Sequence, residues 1–154
     1  MIFCKTDEIK IWTDEFPKTQ VRTILATYSD AQKKDIKNKP YLNENNVNFF
    51  VEFKGEEYRI HIPANYTWDG ASIPLLFRPL IGGKGKQEFL IPSMVHDKMC
   101  ECKWLVNNDR YLSSLIFKKL LKACGVGKIR AKIMFLAVDN FQKLQGWGWW
   151  MLKY

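Results

Sequence analysis

Long apolar runs are missing from this 154-residue chain. No window approaches the roughly 18 uninterrupted apolar residues of a bilayer span, so no transmembrane helix is expected. The start, Met1-Ile2-Phe3-Cys4-Lys5-Thr6-Asp7-Glu8, lacks a basic head followed by an apolar stretch, and no secretory signal is expected. Cysteine is sparse. Cys4, Cys100, Cys102 and Cys124 stand in no spaced framework, which favours reduced thiols in a cytosolic setting over a disulfide scaffold. Two separated Cys-x-x-Cys pairs, the strong zinc signature, are absent. The glycine run Gly82-Gly83-Lys84-Gly85 lacks the Gly-Lys-Ser/Thr ending of a phosphate loop. No internal repeat is evident.

What is present is enough to fold. Apolar residues make up 47% and aromatics 14%, a profile that supplies a core and excludes a disordered tail. The length suits a single domain over 1–154, with 1–66 mainly strands and 67–154 mainly helices. Ile9–Trp12 and Gln20–Ala26 carry β-branched residues and alternation; Ser29 to Asn48 is polar and reads as a surface loop. Asn48–Phe53 and Glu57–Ile62 flank Lys54-Gly55-Glu56, the clearest hairpin, with Pro63 closing its second strand.

The second half reads as helices. One short helix runs from Pro74 through Leu80, and a second opens at Pro92 and carries His96-Asp97. A third spans Asn108 to Cys124, stopped by Gly125, and a fourth spans Lys128 to Leu144, stopped by Gly146. The fold class is therefore α+β: a small antiparallel sheet in the N-terminal half packed against a C-terminal group of three to four helices. In the third helix Leu112, Ile116, Phe117, Leu120 and Ala123 share one face with Ser113 near its middle, while the lysines lie opposite. Ser113 either bonds back to a carbonyl one turn earlier or faces a polar pocket. In the fourth helix only Lys132, Asp139 and Lys143 form a tight polar stripe, which predicts the most buried element.

Charge is uneven. The formal net charge is +8, and between Asp109 and Asp139 there is no acid, while Arg110, Lys118, Lys119, Lys122, Lys128, Arg130 and Lys132 fall there. Such a face attracts nucleic acid, an acidic protein or a phosphate-rich surface; its bland alternative is a solvated face that keeps the chain in solution. The tail, with Trp147, Trp149 and Trp150, either covers a core edge or forms an interface.

Chemistry concentrates at Trp68-Asp69-Gly70-Ala71-Ser72-Ile73-Pro74 and at His96-Asp97. Asp-Gly is a strong turn signal that holds the carboxylate rigidly. The functional reading is that Asp69 points at His96; the structural one is that Asp69 and Ser72 only shape the turn. Asp69, Ser72, His96 and Asp97 are the candidate catalytic residues, with the imidazole as base or ligand and the carboxylates as ligands or orienters. A divalent metal held by His96, Asp97 and Asp69 is one version; a thiolate zinc site using His96, Cys100 and Cys102 is a weaker one. Ser72 lacks a nucleophile-elbow context, so no Ser-His-Asp triad is assigned. His96 and Asp97, adjacent on a helix, point about 100° apart and cannot both aim at one atom on a straight backbone.

These residues, together with Val95, Phe117, Leu120 to Val126 and Ala131 to Phe141, resemble an uncharacterised family common in phages and prophages, domain of unknown function 1353. The resemblance covers roughly Phe49 to Trp150. The family commonly carries an aromatic pair after His-Asp, where this chain has Lys98-Met99-Cys100, and an aspartate in the following helix, where it has Ser113-Ser114. The resemblance implies a phage or prophage protein and supplies no reaction. It leads to a small virion-associated component or accessory host-interaction factor, in the host cytoplasm or the virion, that works by macromolecular binding. A protein partner is expected first and nucleic acid second. A hydrolase built on Asp69, His96 and Asp97 is the alternative.

Overall fold

The computed structural model describes residues 1–70 and 87–145, with the side chains of residues 144 and 145 left aside. Ser72, the helix expected from Pro74 to Leu80, the glycine run at 82–85 and the tail with Trp147, Trp149 and Trp150 lie outside the described residues. In order the elements are β1 (Ile2–Lys5), β2 (Ile9–Thr13), β3 (Thr19–Val21), α1 (Asp30–Asn38), β4 (Tyr41–Asn43), β5 (Val47–Phe53), β6 (Glu56–Ile62), β7 (Tyr66–Trp68), α2 (Gln87–Glu101), a 3-10 turn (Lys103–Val106), α3 (Arg110–Ala123) and α4 (Lys128–Gln145). The α+β class expected from the sequence is the observed one, with strands early and helices late.

Two antiparallel sheets form in place of one. The larger runs β1-β2-β5-β6 and the smaller β3-β4-β7. The β5–β6 hairpin is the one the sequence announces. Lys54 (φ 50°) and Gly55 (φ 76°) both take left-handed conformations, the mirror-image turn whose twist matches two right-twisted strands. The pairing Phe53↔Glu56 sets the register, and alternation does the rest: Val47, Phe49, Val51 and Phe53 turn inward while Asn48, Phe50 and Glu52 turn out.

The polar stretch from Ser29 is not a bare loop; it folds as α1 followed by β4. Ser29 Oγ accepts from the Gln32 backbone N–H and the Gln32 side chain accepts from the Ser29 N–H, a reciprocal capping box that starts a helix of otherwise low apolar content. Ile36 is its buried anchor. The strand expected over Gln20–Ala26 ends at Val21, because Arg22 turns to the α1 end, bonding the Lys39 carbonyl at 3.0 Å and Asp35 at 3.0 Å.

Pro92 does not open its helix; α2 already runs from Gln87 and carries Pro92 inside it. The α3 and α4 helices fall within a residue or two of their expected bounds. Asp109 Oδ1 caps α3 by accepting from the Leu112 N–H at 3.0 Å, and Gly125 (φ 97°) ends it. The most buried helix is α2, with nine of fifteen residues buried, and not α4. Ile129 and Leu136 of α4 fall on the same side as its lysines, so that helix keeps an exposed face.

The main core lies between the large sheet and α2 and α3. Ile11, Phe49, Val51, Ile60 and Ile62 meet Met94, Val95, Met99, Leu112 and Ile116 there. A second cluster, Phe89, Phe117, Leu121, Val126, Ala131 and Met134, joins α2, α3 and α4. Phe49 is fully buried at the centre of the sheet. Phe49→Ala is expected to lower the free energy of unfolding by about 3–5 kcal/mol, read by urea denaturation with an unchanged slope. A loss under about 1 kcal/mol would place the core elsewhere.

Candidate functional site

One hydrogen bond ties the two halves of the candidate site together. Trp68, at the end of β7, is almost wholly buried, stacks on Tyr66 and leans on Tyr41. Its indole Nε1 donates to Ser93 Oγ on α2 at 3.0 Å, and that hydroxyl donates to the Leu90 carbonyl at 3.1 Å. Strand β7 is thereby pinned to the Ser93 face of α2. Asp97 lies one helical turn beyond Ser93 on that same face, and Asp69 follows Trp68 directly, so the loop acid lands on Asp97.

The Asp69 carboxyl comes close enough to Asp97 to act on it. Burial, then the Asp69 charge and hydrogen bond, and then the Glu101 charge push the Asp97 carboxyl well above the usual carboxylate range, against a smaller opposing pull from Lys39. Glu101, one further turn along, accepts from the Tyr66 hydroxyl at 2.9 Å. Burial and the Glu101 and Asp97 charges hold that phenol un-ionised. Lys98 sits 5.3 Å from the centre of the Tyr66 ring.

The His96 imidazole leaves the other side of α2. It is 8% exposed, leans on Phe117 at 5.0 Å between ring centres, and burial alone lowers its pKa to about 4. Gln142 on α4 places its amide Nε2 3.1 Å from His96 Nε2 and 3.1 Å from Cys100 Sγ. An amide nitrogen only donates, so His96 Nε2 accepts and its lone pair is spent within the protein. Gln142 Oε1 accepts from Ser114 Oγ at 3.2 Å, and that hydroxyl also reaches Asp139 Oδ1 at 3.1 Å. Arg110 closes the series on the Asp139 carboxylate and on the Asp139 carbonyl. A polar seam therefore runs from Arg110 at the rim to His96 within. Ser113 bonds back to the Arg110 carbonyl at 2.8 Å. Ser114 is the serine that faces the seam.

The chain thus brings Asp69 and Asp97 together, while the polar partners of His96 among the described residues are Gln142 and Cys100. No group of three or more His, Cys, Asp and Glu side chains able to hold a metal ion occurs among the described residues. The expected set of His96, Asp97 and Asp69 does not make one, because the imidazole and the carboxyl pair leave α2 in different directions. All four cysteines are free thiols. Burial and the Asp97 charge raise the Cys100 thiol far from the thiolate that would ligate or attack. The sequence reading did not single out Gln142, Tyr66 or Glu101; it named Ser114 only as half of the Ser113-Ser114 pair. Glu101 was within reach of it, four residues after Asp97 on one helix face, as was Gln142, three after Asp139.

The basic residues cluster on the outer side of α3 and α4. Lys118 has its pKa lowered by burial first and then by Lys119, Lys122 and Lys132, with Glu8 opposing. Its ammonium lies 5.3 Å from the Phe135 ring, which meets Tyr111 edge-on. Lys128 is exposed. Arg130 turns away from the cluster to Glu88 at 3.3 Å and the face of Phe89. Among the described residues no helix is long and apolar enough to cross a membrane.

A family model described as a protein of unknown function, DUF1353, matches residues 46–138. That interval holds the sheet hairpin, Asp69, His96, Asp97 and the seam as far as Ser114; it stops short of Asp139, Gln142 and the tail. The uncharacterized protein y4jT of Sinorhizobium fredii is 35% identical over 80 residues, 52% of this chain and 23% of that protein, so the chain spans under a quarter of the relative's length. No solved structure matches.

The two titrating groups act on stability with opposite signs. The unfolded chain takes up a proton on His96 below its usual 6.5, and the native state refuses it down to about 4. That contribution is complete above 6.5 and is lost as the pH falls toward 4. The native Asp97 holds a proton that the unfolded chain releases above 3.8, so its contribution falls as the pH rises from 3.8 toward the raised value. His96→Asn should remove a loss on acidification on the order of 3 kcal/mol, and Asp97→Asn should raise Tm at neutral pH. Calorimetric melts from acid to neutral pH check both; wild-type pH slopes in both variants would contradict the assignment.

Proposed function

The chain belongs to the family of unknown function DUF1353, and from that premise we propose that this member works by binding a macromolecule through its lysine face and not by turnover at His96. The observation that supports this reading is the contact of Gln142 Nε2 with His96 Nε2 at 3.1 Å. A general base must offer a free lone pair to substrate, and here an internal amide takes it inside a pocket that leaves the ring 8% exposed. The Asp69–Asp97 pair and the seam then act as polar core. The face of Lys118, Lys119, Lys122 and Lys132 makes the contact, and it suits a partner whose own surface is acidic or rich in phosphate.

We also read the chain as phage- or prophage-encoded, acting in the virion or as an accessory factor in the host cytoplasm. This follows what the resemblance implies, and detection of the chain in purified virions is the check. The hydrolase reading keeps one observation in its favour: a carboxyl raised well above its usual range beside a second carboxylate is the arrangement of an acid–base pair.

Retention on an immobilised polyanion separates the readings. The variant carrying Lys118→Glu, Lys122→Glu and Lys132→Glu should elute at markedly lower salt than wild type, and His96→Ala at the wild-type position. Equal elution of the triple variant would remove the lysine face from the function. Turnover of ester or phosphodiester substrates that drops at least about tenfold in both His96→Ala and Asp97→Asn, yet survives the lysine changes, would install the hydrolase instead.

A further inference from the structure

The end of the molecule at the α3–α4 turn combines exposed apolar side chains, an open cavity and lysines. Ile129, in the first turn of α4, is 76% exposed, more than any other large apolar side chain among the described residues. Ile2 and Phe16 are 61% and 53% exposed, and they line a cavity of about 720 Å³ together with Phe3, Ile91, the last residue of α3, Ala123, and Cys124 just after it. Lysines ring this end. Lys119 and Lys122 act electrostatically on the Cys4 thiol of β1, which brings α3 charges over the N-terminal strand. Lys128 adjoins Ile129 and is exposed. The one acid on the cavity wall, Glu88, is engaged by Arg130 at 3.3 Å.

Among the described residues no core contact accounts for these exposed apolar side chains. A solvated lysine face has no use for an isoleucine held three-quarters in water, and phosphates of a duplex gain nothing from Ile2, Phe16 or Ile129. An anionic bilayer rewards both features at once. Lysines meet headgroup phosphates while apolar tips enter the acyl boundary. We infer that the α3–α4 turn end, with Ile129, Ile2 and Phe16 as the inserting tips and Lys119, Lys122 and Lys128 as the headgroup contacts, docks the protein on an anionic lipid membrane. This rests on the lysine-face reading above and names the surface that face meets. Peripheral docking of this kind needs no spanning helix.

The test is co-sedimentation of the full chain with two kinds of vesicle: phosphatidylcholine alone, and phosphatidylcholine with about one-third phosphatidylglycerol. Binding to the anionic vesicles should exceed binding to the neutral ones at least about tenfold at low salt. Lys122→Gln and Lys128→Gln should each weaken it about fivefold, and Ile129→Ser should weaken it with its far-UV spectrum and Tm unchanged. Equal binding of Ile129→Ser and wild type would reduce the contact to surface adsorption and overturn the insertion. Parallel titrations use duplex DNA and polyglutamate. If either binds in a lysine-dependent manner while the anionic vesicles do not, the membrane inference falls and the lysine-face reading stands. If none of the three polyanionic probes binds, both fall.

Discussion

Everything at the centre of this protein depends on the indole of Trp68 reaching the hydroxyl of Ser93. A buried indole N–H without an acceptor would cost on the order of 1–3 kcal/mol, so the strand end and the helix are matched at one register only. With that bond made, Asp69 has no choice of neighbour: the carboxyl one turn along α2 is Asp97. The imidazole beside it on the chain is committed to the opposite flank, against Phe117 and α4. Two polar environments are therefore separated by the thickness of one helix. One is a pair of neighbouring carboxyl groups opening toward Tyr66 and Glu101, and the other is a closed seam of amide, hydroxyl, thiol and imidazole.

That separation extends to the serine pair of α3: Ser113 bonds back to its own helix, and Ser114 takes the place in the seam facing Gln142. The hydroxyl holds the Gln142 amide, and the amide occupies the imidazole that burial keeps neutral. The matched interval ends at residue 138, before Asp139 and Gln142, so the amide that contacts the histidine lies beyond the matched stretch.

Much of this could be read from residue order, and the boundaries of what could be read are physical. The β5–β6 hairpin was legible because Gly55 and strict alternation leave one register. The end of α3 was legible because Gly125 takes a conformation that other residues avoid. Helix α1 went unread although its capping box was in plain view: a nine-residue helix with one buried apolar side chain has almost no periodic signal, and only the Ser29–Gln32 reciprocity marks it. At the site, adjacency alone dictated that His96 and Asp97 diverge. Which of them meets the loop is decided by Ser93, and what caps the histidine is decided by a residue 46 positions away, reachable only through the packing of α2 on α4.

The seam has a further meaning for how the helical hairpin is assembled. Helices joined by leucine and phenylalanine alone can slide by a turn and still bury comparable surface. Here a one-turn slip of α4 along α3 would strand the Gln142 amide and the Ser114 hydroxyl in a dry interior and part the Asp139 carboxylate from Arg110. The polar chain from Arg110 inward thus works as a key cut into an otherwise greasy lock, admitting a single alignment of the two helices.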